Sequence, residues 1–156
     1  MTATGHGAES DCEDIRPGLI GQPANTVSSL ALVAAALPIA RAARRRQQPA
    51  WAAVAAATAV EGLGSVAYHG PGGRWAKKLH DGGLVVLAAT VGVAVGREGR
   101  PVARRPLTAV LAIAAVGLHA ASRTGGPLCS CRSPLQGHAV FHVLAAAALT
   151  AAAEQR

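Results

Sequence analysis

Two histidines four residues apart, His138 and His142, open the last apolar stretch of this 156-residue chain. On a helix that spacing sets both imidazoles on one face, one turn apart, where they can share a metal ion. Ser65 and His69 form a second four-residue pair at the end of an earlier apolar stretch, and Asp81 follows soon after. A helix entering lipid has little reason to carry such residues unless they face a cavity, a partner or a metal. Three neutral imidazoles from His69, His138 and His142 around a zinc ion leave the fourth position to water, the open arrangement of catalytic zinc. Bound zinc brings the pKa of its water to about 7 and polarises a carbonyl oxygen. Asp81 can then accept a proton and hand it to a leaving group, while Ser65 can hydrogen-bond a developing oxyanion or orient a ligand histidine. The chemistry expected is hydrolysis of an amide or ester bond in a membrane lipid.

The elements that must hold these residues are apolar and helical. Hydrophobic residues make up 51% of the chain and charged residues only 15%, against about 25% charged in an ordinary soluble domain. The apolar residues are mostly Ala, Val and Leu, with two Trp, one Tyr and one Phe, so close approach of small side chains must build the core, as in membrane helix packing. Five apolar segments separated by charged or Gly/Pro loops predict helices over about 25–40, 50–69, 81–96, 107–122 and 137–153. The fold class expected is all-α: an integral membrane bundle of five transmembrane helices forming one domain over 11–156. Residues 1–10 lack the apolar region of a signal peptide and read as a mobile tail. Asn25 is expected to cap the first helix with Pro23 just outside, and the arginines from Arg41 to Arg46 to end it. Gly62, Gly64 and Phe141 read as packing residues, His80 and His119 as interfacial or packing residues, and Trp51 and Trp75 as interface anchors.

The net charge of +7 would suit nucleic acid if it formed a patch, but most arginines sit in two short clusters between apolar segments. Arg41, Arg44, Arg45 and Arg46 form one; Arg97, Arg100, Arg104 and Arg105 form the other. That placement reads as membrane topology, without a nucleic-acid partner. With five crossings both clusters lie on one side, so the positive-inside rule sets the N-terminus outside and the C-terminus in the cytoplasm of a bacterial-type plasma membrane. Asn25, His69, Asp81, His138 and His142 then converge on the outer half of the membrane. Cys12, Cys129 and Cys131 share that face, where disulfides persist. A bridge from Cys12 to Cys129 or to Cys131 leaves one thiol over; the alternative is a Cys-x-Cys metal or redox pair with Cys12 free. Glu61, at four-residue spacing from Ser65, fits a polar neighbour in the cavity, a proton carrier, or a partner for arginine in a homo-oligomer.

Cys12-Glu13, then Gln22-Pro23-Ala24-Asn25-Thr26-Val27-Ser28-Ser29, Gly62-Leu63-Gly64-Ser65-Val66-Ala67-Tyr68-His69, Asp81, and His138 to His142 resemble the successive signatures of the alkaline ceramidases. They are also similar to the wider superfamily of intramembrane hydrolases that includes the progestin and adiponectin receptors and the hemolysin III proteins. The resemblance implies that His69, His138 and His142 hold Zn2+, that Ser65 and Asp81 stand beside the metal and its water, and that Cys12 pairs with a cysteine in the loop before the last helix. It also implies an amide bond as the target, in a ceramide-like or N-acyl lipid. Eukaryotic alkaline ceramidases carry Ca2+ in the acidic segment before helix one, where this chain has Asp11, Glu13, Asp14, Gln22 and Asn25. The order of acids differs here, and a glutamine stands where a further acid is expected. The family usually has seven helices against five in this chain, and an apolar residue at the position of Glu61.

Two classes of function follow. One is a zinc-dependent hydrolase of a lipid amide. The other is a membrane receptor, sensor or assembly protein in which zinc is structural. They differ at the fourth metal position, open to water in the first and filled by protein, Asp81 for example, in the second.

Overall fold

A computed structural model describes residues 5–99 and 105–154. Residues 1–4 of the expected tail, and Arg100 and Arg104 of the second arginine cluster, lie outside these. The described residues form five helices: α1 (Pro23–Arg45), α2 (Pro49–His69), α3 (Arg74–Glu98), α4 (Pro106–Ala121) and α5 (Gly137–Glu154). No strand occurs among them beyond one isolated bridge between Asp11 and Arg123. α1, α2, α3 and α5 are each long and apolar enough to cross a membrane. α4, with 16 residues, rises only about 24 Å, short of a ~30 Å hydrocarbon core. Large apolar side chains such as Val85, Val86, Val93, Val110, Ile113 and Val116 are exposed on the outside of the bundle, as lipid contact requires and water does not favour.

Three boundaries differ from the sequence expectation, each for a local physical reason. α1 starts at Pro23, whose missing N–H costs nothing at a first helical position, and Asn25 does not cap it. The cap comes from outside the helix: Glu13 accepts from the backbone N–H groups of Ala24 and Asn25 at 2.8 and 2.9 Å, a carboxylate at the positive end of the dipole. α1 also runs on to Arg45, because arginines in a last turn favour the helix C-terminus. α3 begins at Arg74, so Arg74, Lys77 and Lys78 are helical and Asp81 lies two turns inside. Lys77 and Asp81 pair at 2.8 Å one turn apart, and Gly72 and Gly73 make the preceding turn at positive φ.

The main packing seams join α1 to α2, α2 to α3, α1 to α5 and α4 to α5, leaving α3 and α4 as the edges of an open ring. The core is built largely of alanines with Leu32, Ile39, Val54 and Trp51. Trp51 is therefore not an interface anchor: it is 1% exposed and its Nε1 donates to Glu98. Trp75 is exposed, 82%. Gly62 and Gly64 do pack. A Cβ at Gly62 would fall 2.7 Å from the backbone nitrogen of Val33, so α1 and α2 touch there only because the side chain is absent. Gly62→Ala is expected to destabilise the protein by about 1–3 kcal/mol as an overpacked contact. Gly92→Ala, with nothing within 4 Å of its Cβ, is expected to stabilise it by about 0.5–1 kcal/mol. Thermal unfolding in micelles reads both; equal midpoints for the two variants would mean the seam does not close at Gly62.

Both described arginine groups sit at one end of the bundle. Arg46 donates to the carbonyls of Ala153 and Glu154, and Arg105 donates to Ala152 O and pairs with Glu98. The N-terminal segment lies across the other end. Residues 5–10 pack there instead of hanging free: Ala8 is buried, Tyr68 donates to Gly7 O, and Thr124 N–H donates to Ser10 O. Cys12 and Cys129 form the disulfide, and Cys131 is the exposed free thiol. The bridge ties this segment to the loop that leads into α5.

Candidate metal centre

α2 ends at His69 and α5 begins one residue before His138, so the end of one helix meets the first turn of the other under the N-terminal segment. His69, His138 and His142 are all buried. One ligand nitrogen from each lies within 4.8 Å of the others, and their ring centroids are 4.6 to 5.3 Å apart. Residues as much as 73 positions apart in the sequence are thereby within the coordination sphere of one ion after small movements.

A hydrogen-bond network sets the ring orientations, and it begins at Gln22. Its Nε2 donates to the carbonyls of Ala8, Asp11 and Glu13 at 2.9 to 3.0 Å, which fixes the amide so that Oε1 faces inward. Oε1 accepts from His69 Nδ1 at 2.6 Å. His69 therefore carries its proton on Nδ1, and its buried Nε2, with no partner of its own, is a free lone pair. His138 repeats the pattern: Nδ1 faces the Asp11 carboxylate at 3.5 Å and His119 at 3.3 Å, and the buried Nε2 is again unpartnered. In His142, Nδ1 donates to Ser28 Oγ at 2.9 Å, since the Ser28 hydroxyl hydrogen goes to Asn25 O. Ser65 Oγ lies 3.3 Å from His142 Nε2 and 2.9 Å from Ser29 Oγ. Each ligand histidine is thus held through Nδ1 by an oxygen from another element, the outer support that metal-binding histidines require.

These orphaned nitrogens are the test of fit for a metal. A buried polar atom without a partner is costly; the Nε2 atoms of His69 and His138 are two such atoms, and the His142 Nε2 beside them has Ser65 Oγ at 3.3 Å, so a cation held among the three rings would satisfy the two orphans. A triad of nitrogens suits zinc. Among the described residues this group contains three histidines and no fourth protein ligand. In a second group, Cys12, Cys129 and Cys131, the first two are joined in the disulfide, which leaves the single thiol of Cys131.

Other expected site residues lie elsewhere. Asp81 stands at the cavity mouth, its side chain 54% exposed and bonded to Lys77 and His80. Of the five residues considered for Ca2+, Asp11, Glu13, Gln22 and Asn25 share one hydrogen-bonded cluster in which the Asp11 carboxylate faces His138, that of Glu13 caps α1 and the Gln22 amide holds His69, while Asp14 is at the surface 3.5 Å from Arg132. Burial pushes the Asp11 carboxyl above the usual carboxylate range, with Arg123 and His119 pulling it back. The roles of Asp11, Gln22 and Ser28 in orienting imidazoles escaped the sequence reading. The one available signal was that two of them fall in an oxygen-rich segment.

His138 and His142 of the triad line a cavity of about 410 Å³. Its outer end carries Asp11, His80, Asp81, His119 and Arg123, and its inner end Leu32, Leu84, Leu87, Val116 and Leu149. The walls from α3 and α4 are the two edges of the ring that do not close on each other. No protein-family model, no curated protein and no solved structure matches this chain.

Proposed function

We propose that this chain is an integral membrane, zinc-dependent hydrolase of ceramidase type that cleaves an amide bond in a ceramide-like or N-acyl lipid. The observation that carries the reading is the triad itself: three buried imidazoles, each oriented through Nδ1, with no fourth protein ligand among the described residues, two of them lining a cavity that has both polar and apolar walls. A structural site would normally fill the fourth position with protein. In the proposed topology all five helices cross, with α4 the thinnest span. The arginine-rich end faces the cytoplasm and the metal centre the exterior.

His69, His138 and His142 would hold the zinc ion, which when bound supplies an activated water and a Lewis acid for a carbonyl. The chain's own residues do the rest. A lipid enters between α3 and α4 with its chain against Leu84, Leu87 and Val116 and its headgroup toward Arg123 and Lys77. Ser65 Oγ, beside His142 Nε2, is within reach of an oxygen held at the triad and donates to it as negative charge develops. Asp81, at the water-facing mouth, accepts protons leaving the cavity.

The test is release of fatty acid from a panel of N-acyl lipids and matched esters by purified protein in micelles. Wild type is expected to cleave at least one amide, Ser65→Ala to retain bound zinc with kcat lowered roughly 10²-fold, and His142→Ala to lose both metal and activity. Zinc-loaded protein that cleaves no lipid on the panel would favour a receptor or assembly role.

A further inference from the structure

Glu61 lies two turns below His69 on the same face of α2, well inside the bundle. It is 3% exposed and lines the cavity. One carboxylate oxygen, Oε1, is 3.4 Å from His80 Nε2; the other, Oε2, is buried and has no partner. A carboxyl group at this depth is expensive to keep and marks function by default. Among the described residues no arginine pairs with it. Its neighbour on α3 is Gly83, where a Cβ would fall 2.5 Å from Oε2, so the facing helix leaves room for the group.

His80 extends the contact outward. Its Nδ1 is 3.2 Å from Asp81 Oδ1, and its ring is stacked on Tyr68 at 4.6 Å and 27°. Asp81 in turn reaches the exposed face of α3 with Lys77 beside it. The result is an unbroken series of carboxylate, imidazole and carboxylate running from the water-facing surface to the interior of the cavity.

We propose that Glu61, His80 and Asp81 form a proton relay between the cavity and the external face. An imidazole between two carboxyl groups has two neutral arrangements that differ by the shift of two protons; in the one that starts the transfer, Asp81 as carboxylate accepts from Nδ1–H, and Nε2 accepts from the Glu61 hydroxyl. Transfer outward breaks the Glu61 O–H bond and forms Nε2–H, while Nδ1–H breaks and Asp81 gains the proton. Glu61 is left as a carboxylate that takes the next proton from cavity water on its free Oε2, Asp81 releases its own to solvent, and a half-turn of the imidazole within its plane, which returns its N–H to the Asp81 side, resets the series. No oxidant or co-reactant is consumed. The stacked Tyr68 ring keeps the imidazole plane fixed between its partners. The groups facing the relay are Lys77 on Asp81 and Tyr68 and His69 around His80, with ring centroids 6.3 Å apart for His69.

The use of this relay in catalysis rests on the hydrolase reading; its existence does not. Infrared difference titration of the purified, zinc-loaded protein separates the two. A carboxyl band is expected to vanish in Glu61→Gln, and its midpoint to move by about one pH unit or more in both His80→Ala and Asp81→Asn, as coupled sites require. A midpoint unmoved by either change would overturn the relay, because Glu61 would then titrate alone. On an active preparation, Glu61→Gln is expected to lower kcat about 10²-fold with KM and zinc content unchanged, and His80→Ala to recover in added imidazole. Coupling in the infrared with no lipid cleaved by wild type would leave the relay standing and refute the hydrolase.

Discussion

Purified wild-type protein is expected to bind about one zinc per chain, and His138→Ala, His142→Ala and His69→Ala each to bind none after dialysis against a weak chelator. The magnitude follows from how the site is made. Removing one of three protein ligands leaves two imidazoles, and nothing else in the described residues offers a nitrogen or thiolate at that point. The loss should exceed the 10–100-fold that follows disruption of an outer partner. Each variant should still fold. The triad lies at one end of the bundle, while the seams of Leu32, Ile39, Trp51 and the alanines run through its length. Metal analysis beside circular dichroism reads both quantities. Zinc retained at wild-type stoichiometry in His138→Ala and in His142→Ala would show that the ion binds elsewhere, and the functional reading would fall with the site.

Gln22→Ala should produce the second largest effect although Gln22 touches no metal. Its side chain makes bonds in two directions: two N–H groups shared among the carbonyls of Ala8, Asp11 and Glu13, and one bond accepted from His69 Nδ1. Truncation strands three buried carbonyls and frees the His69 ring to turn or to change tautomer. Zinc affinity is expected to fall 10–100-fold, and stability by about 1–3 kcal/mol for unsatisfied buried groups. Gln22→Glu provides the control. A carboxylate still accepts from Nδ1 and supports His69, yet it cannot donate to the carbonyls and brings charge into their midst. It should keep more of the metal affinity than Gln22→Ala while losing more stability. Competition with a chromophoric chelator, run beside thermal unfolding, distinguishes these patterns. Equal zinc affinity in wild type and Gln22→Ala would mean that His69 is oriented by packing alone.

Much of this molecule is legible in local sequence because membrane helices obey local rules. Runs of Ala, Val and Leu bounded by arginines or by Gly/Pro loops identify α2, α4 and α5 to within a residue or so, since apolar length and flanking punctuation are properties of the chain itself. The four-residue spacing of His138 and His142, and of Ser65 and His69, puts each pair on one face whatever surrounds them. Alternation of direction then carries His69 and His138 to the same end. The start of α1 escaped because it is settled at a distance, by Glu13 capping it from outside the helix; the start of α3 escaped because its polar stretch reads as loop, although its Lys77–Asp81 pair is a local, one-turn contact.

What the sequence by itself determined is thus the set of helices, the end of the bundle on which the histidines meet, and which three histidines come together there. Only the tertiary structure decided that Cys129 and not Cys131 pairs with Cys12, that Trp51 belongs to the core, that Asp81 stands at the cavity mouth, and that Asp11, Gln22 and Ser28 hold the imidazoles. The physical reason is range. A helix and its faces are fixed by bonds between residues three or four apart, whereas each of these outcomes depends on partners separated by tens of residues. Their distances become defined only when the helices pack.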